Sequence, residues 1–163
     1  MRLANIIDND VVNGEGLCVS LWTCGCPHKC EGCHNQDLWD YNNGQEYDLE
    51  EITQKLEILL NKNGVQRNLS ILGGEPLCPE NVHEVAAIIS YLKAWHPTLK
   101  IYLWTGYTLE LLQKQKQENQ SLKNILDKID VLIDGPFVLK ERDITLPLRG
   151  SRNQRILRKG IDF

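Results

Sequence analysis

With 163 residues, 42% apolar and 25% charged, the chain has close to average globular composition; disorder, collagen and coiled coil are excluded, and the length suits one domain, residues 1–163. A net charge of −4 and a pI near 5.6 argue against phosphate neutralisation as the main source of affinity, so no nucleic acid partner is expected. Neither a secretory h-region nor a span of about 20 apolar residues occurs, so no membrane is expected and the cytoplasm is the expected compartment. There, six cysteines read as metal ligands or inert thiols rather than as a disulfide framework.

The predicted elements alternate along the chain. A strand is predicted over 17–23, followed by a helix on the spacing of Leu49, Ile52, Leu56, Leu59 and Leu60. A strand over 69–72 leads to a helix carrying Val82, Val85, Ile89 and Leu92 behind Pro79, a residue suited to a first helical turn. After a strand over 101–104, residues 113–120 lack an apolar face and form an exposed helix or a loop between two short helices. A third helical stripe (Leu122, Ile125, Leu126, Ile129), a strand over 131–133 and a weaker one over 154–157 complete the pattern.

Strands alternating with helices imply βαβ units and a parallel sheet, so the fold class is α/β. A complete (β/α)8 barrel takes about 250 residues, and this chain suffices for an incomplete, laterally open (β/α) barrel in a single domain. Ligands of such sheets gather at the carboxyl ends of the strands, where the Cys-rich and Gly-rich segments of this sequence fall.

Directly after the first long strand, Cys26, Cys30 and Cys33 lie three and two residues apart. Thiolates are the usual ligands of iron–sulfur clusters, and three ligands leave one iron of a cubane open to a substrate. A structural zinc site normally closes with four ligands in two separated pairs, and no second CxxC occurs. Zinc survives as an alternative because Cys24, His28 or His34 would supply a fourth donor. Cys18, Cys24 and Cys78 otherwise read as small apolar fillers, and His28 and His34 as polar loop residues beside the candidate ligands.

Three further segments follow strands. Gly73, Gly74 and Glu75 form a turn where backbone approaches a ligand closely and carbonyls with a carboxylate accept from an ammonium group. The Trp104–Tyr107 segment, with Thr105, and the DGPF run, with Asp134, line the same rim with glycine, hydroxyl and aromatic groups suited to an adenosyl ligand. Arg149, in RGSRNQ, is a candidate partner for a ligand carboxylate.

Together, VNGEG, CPHKCEGCHN with the following LW, LGGEPL, YLWTGY, VLIDGPF and RGSRNQ resemble, in order and spacing, the radical SAM superfamily. Within it, the sequence resembles the activating enzymes of anaerobic ribonucleoside-triphosphate reductase along almost its whole length. The resemblance implies that Cys26, Cys30 and Cys33 ligate a [4Fe-4S] cluster whose fourth iron is capped by S-adenosyl-L-methionine. Gly32 to His34 and Gly73 to Glu75 would contact that cofactor.

It further implies reduction by a one-electron donor such as flavodoxin. A 5'-deoxyadenosyl radical would then abstract hydrogen from a glycine of the large reductase subunit, leaving a glycyl radical. The chain departs from the family pattern at Glu15, where proline is usual, at His34, where tyrosine is frequent, and at Cys18, a position often basic. An activase of the pyruvate formate-lyase type and a four-cysteine zinc adaptor are the competing expectations.

Overall fold

The computed structural model describes residues 1–163. Its elements run β1 (Arg2–Asp10), β2 (Cys18–Thr23), β3 (Gln45–Glu46), α1 (Leu49–Leu60), β4 (Asn68–Gly73), α2 (Val82–Trp95), β5 (Ile101–Trp104), α3 (Leu109–Gln115), α4 (Gln120–Leu126), β6 (Val131–Asp134) and β7 (Arg155–Arg158). They build one α/β unit around a mixed seven-stranded sheet in the order β3-β1-β2-β4-β5-β6-β7, which does not close on itself. No helix is long and apolar enough to cross a membrane.

The expected parallel sheet exists only in the middle. β2, β4, β5 and β6 are parallel neighbours, whereas β1 and β7 join antiparallel at either side. The reason on the β7 side is the connection: the chain after β6 contains no α-helix, and without a crossover the next strand returns beside its predecessor. β1 and β3 have no counterpart among the predicted strands. β1 carries register shifts between Leu3 and Asn5 and between Ile7 and Asp10, which erase the period-two signal that would reveal a strand.

Each central strand divides its residues between two faces. Val19, Leu21, Leu69, Ile71, Ile101, Leu103 and Leu132 join the large core, together with residues of all four helices. The alternate residues Tyr102, Val131 and Ile133 form a second, smaller cluster with Trp104, Leu148 and Ile156. Helix α1 illustrates the logic on the first face. Asp48 caps it by accepting from the Glu51 N–H while the Glu51 carboxylate accepts from Asp48 N–H, and the helix then buries Ile52, Leu56 and Leu60. Burial of each such side chain contributes about 1.5–3 kcal/mol. α3 stops at Gln115 and α4 starts at Gln120, so the polar 113–120 run spans a loop between two short helices.

Candidate functional site

On the sheet face away from the helices, at the carboxyl ends of β2, β4 and β5, lies a cavity of about 340 Å³, within the range of small-molecule sites. Cys26, Cys30 and Cys33 all line it. Burial pushes the Cys26 thiol up to about 11 and raises that of Cys30, so a bound cation must displace their protons. Cys18, Cys24 and Cys78 are buried elsewhere and do not reach the wall. The Cys24 sulfur is turned toward Gly44, across the β1–β3 edge, so the proposed four-cysteine zinc set does not assemble. No three His, Cys, Asp or Glu side chains converge tightly enough to hold a single ion.

Glu75 ties the loops around the cavity together. It is fully buried, and its Oε1 accepts from the Leu77 N–H (2.9 Å) and the Thr105 hydroxyl (2.8 Å). Oε2 accepts from the Gly106 N–H (2.8 Å) and from His28 Nε2 (2.8 Å), whose ring meets Tyr107 edge-on at 4.5 Å. One carboxylate thereby joins the cysteine loop, the Gly-Gly turn and the segment after β5, and such charge-assisted bonds are the strong ones. Gly74 sits where no side chain fits, since a Cβ would lie 2.4 Å from the Gly25 carbonyl oxygen. The turn donates Gly74 N–H to Thr23 O and Glu75 N–H to Gly25 O, fixing it beneath the cysteine loop.

His34, Gly73, Gly74, Glu75, Thr105 and Arg149 reach the cavity wall alongside the three cysteines. Gly32 and Asp134 are not on it. Gly32 turns the chain behind the wall with Leu139 packed against it. Asp134 accepts from Leu109 N–H at the start of α3 and from the Arg155 guanidinium, so strand-end charge neutralisation outcompetes exposure to the cavity.

Arg149 donates Nη1–H to Gln154 O at 2.8 Å, but its buried Nε–H has no partner. An orphaned cationic donor on a cavity wall suits a ligand carboxylate. The sequence reading assigned no site role to Val12, Asn13, Trp22, Trp39, Leu146, Leu148 or Gln154, which also line the cavity. The only signal for the first two was the VNGEG string, and strand alternation from Ser20 to Trp22 would have found Trp22.

The fold and site define an iron–sulfur protein class: a family model described as a 4Fe-4S single cluster domain matches residues 12–157. Among relatives, the anaerobic ribonucleoside-triphosphate reductase-activating protein of Vibrio cholerae is 39% identical over 149 residues, covering 91% of this chain and 92% of its own. Proteins with the same name from Haemophilus influenzae (38% over 158 residues; 97% and 98% covered) and Enterobacteria phage T4 (37% over 156; 96% and 93%) are equally similar. The chain belongs to the family of anaerobic ribonucleoside-triphosphate reductase-activating proteins.

Proposed function

We propose that Cys26, Cys30 and Cys33 hold a [4Fe-4S] cluster whose open iron takes S-adenosyl-L-methionine, and that the protein uses the pair to install a glycyl radical on anaerobic ribonucleoside-triphosphate reductase. One observation carries the reading. Three thiols from a single loop share one cavity, the other three cysteines are turned away, and the same wall offers an unpartnered arginine donor. The open sheet, with four parallel strands and its cavity at their carboxyl ends, is what an incomplete (β/α) barrel of the radical SAM type provides, with residues 1–163 acting as one radical SAM domain.

When bound, the cluster and cofactor supply one-electron chemistry that yields a 5'-deoxyadenosyl radical. The chain's own residues do the positioning. Arg149 Nε–H would donate to the carboxylate of the bound cofactor, and Gly73 and Gly74, which let the turn pack against β2 and the cysteine loop, would present their backbone on the same wall. His34 and Thr105 stand on the wall beside it. Trp22, Trp39, Trp104 and Phe137 add apolar surface to the same wall. A flavodoxin-like donor provides the electron, and the large reductase subunit presents the glycine.

The test is anaerobic purification followed by incubation with reductant, cofactor and reductase. About four irons per chain and a glycyl doublet by electron paramagnetic resonance are expected. Zinc without iron or sulfide overturns the reading, and a doublet obtained only with pyruvate formate-lyase would redirect the target.

A further inference from the structure

Between β1 and β2 the chain does not turn tightly but runs as a strap, residues 11–16, over the cavity side of the sheet. Its close approach is built into the sequence: a Cβ on Gly14 would lie 2.5 Å from Cys18 Sγ and 3.1 Å from Ser70 Oγ. Val12 and Asn13, on the strap, form part of the cavity wall.

The strap is fastened at both ends. At its start, Asp10 Oδ1 accepts from the N–H groups of Val12 (2.9 Å) and Asn13 (3.0 Å), and Oδ2 accepts from Asn13 Nδ2 (2.8 Å) and Ser20 Oγ (2.6 Å). In the middle, Ser70 Oγ donates to the Asn13 carbonyl. At its far end, the half-exposed Glu15 takes three donors, from Lys100 just before β5, Tyr102 on β5 and Arg158 on β7. Oε2 accepts from Lys100 Nζ (2.8 Å) and the buried Tyr102 hydroxyl (3.1 Å), and Oε1 from Arg158 Nη2 (2.7 Å). The Glu15 carbonyl also accepts from Asn68 Nδ2 at 2.8 Å. The side-chain hydrogen bonds of Glu15 go to none of the cysteine, Gly-Gly or arginine segments; they join the strap to β5 and β7.

We infer that Glu15 is a positioning residue: by gripping Lys100, Tyr102 and Arg158 it presses the strap onto the sheet and fixes the Val12–Asn13 wall against which S-adenosyl-L-methionine binds. This rests on the function proposed above. A wall contact made equally before and during reaction affects cofactor affinity rather than turnover. Because Lys100 and Arg158 are both partly exposed, the grip is sensitive to ionic strength in a way that buried apolar packing is not.

The experiment compares the full-length, cluster-loaded protein with Glu15→Gln and with Lys62→Gln, which removes the Lys62–Asp8 ion pair away from the strap. Iron content, KM and kcat for cofactor cleavage at two ionic strengths, and amide hydrogen exchange of residues 11–16 are measured. Glu15→Gln is expected to keep its iron, raise KM about fivefold and leave kcat within about twofold. Strap amides should exchange about tenfold faster.

The wild-type KM should rise with salt and that of Glu15→Gln should not, because its ion pairs are already gone. Lys62→Gln should match the wild type throughout. Unchanged KM and exchange in Glu15→Gln, or a joint loss of iron, kcat and KM, would overturn the positioning role. Failure of the wild type to cleave the cofactor is a separate result, seen before any variant is made, and overturns the proposed function itself.

Discussion

The two faces of the sheet are made from alternate residues of the same strands, yet they are covered by different things. Val19, Leu21, Leu69, Ile71, Ile101, Leu103 and Leu132 are fully buried beneath four helices, and polar side chains join them at the strand ends, where Thr23 donates to the Leu72 carbonyl and Asp134 accepts from Leu109 N–H and Arg155. On the other face Ser20, Trp22, Ser70, Tyr102 and Trp104 are covered by irregular chain, and each finds a polar partner. Ser20 donates to Asp10, Ser70 to the Asn13 carbonyl, Tyr102 to Glu15 and Trp104 to the Leu148 carbonyl. Apolar burial is non-directional and supplies stability, whereas satisfied polar groups specify where loops lie. Stability and ligand chemistry are thus separated by one step of strand alternation.

The largest expected effect tests the ligand-bearing side. Cys30→Ala should reduce bound iron from about four per chain to near zero and abolish the glycyl radical, while Cys18→Ala, Cys24→Ala and Cys78→Ala retain the cluster. Iron and sulfide assays on the four variants decide it, and cluster loss in Cys24→Ala with retention in Cys30→Ala would reverse the assignment.

A smaller effect tests the division between faces directly. Ile71 and Leu72 are neighbours on β4, one under the helices and one on the cavity wall. Ile71→Ala should cost about 2–5 kcal/mol by urea denaturation, because a close-packed site cannot collapse. Leu72→Ala, which enlarges an existing opening, should cost less than about 2 kcal/mol but weaken cofactor binding. Equal costs with unchanged binding would erase the distinction.

The smallest effect concerns acid. Hydrogen bonds from Lys100 and then Arg158 pull the Glu15 pKa from 4.5 down to about 2. A carboxylate with a lowered folded-state value contributes stability that is complete above the unfolded value and is lost as pH falls. The window is therefore from 4.5 down to about 2, and Glu15→Gln should flatten that part of the stability profile. An unchanged acid limb in the variant would show that the strap's grip carries no pH dependence.

Much of this molecule was legible beforehand. The helix-facing strands and amphipathic helices announced themselves because apolar periodicity directly encodes burial. The cysteine spacing announced itself because three ligands within one loop need no tertiary information to be recognised as neighbours. β1 stayed hidden behind its bulges, and the antiparallel direction of β7 follows from a connection after β6 that contains no α-helix.

The division among the site residues follows the same line. By itself the sequence determined which residue types are available at strand ends: three thiols, the Gly-Gly turn, Thr105 and Arg149. Only the tertiary structure decided their use, turning Asp134 away to Arg155 and α3, putting Gly32 behind the wall, and joining three loops on Glu75. It also laid residues 11–16 across the sheet, where Glu15 meets Lys100 and Arg158, far along the chain. The physical reason is that a polar side chain's role is set by the partners available once the chain is packed, and those partners come from remote sequence.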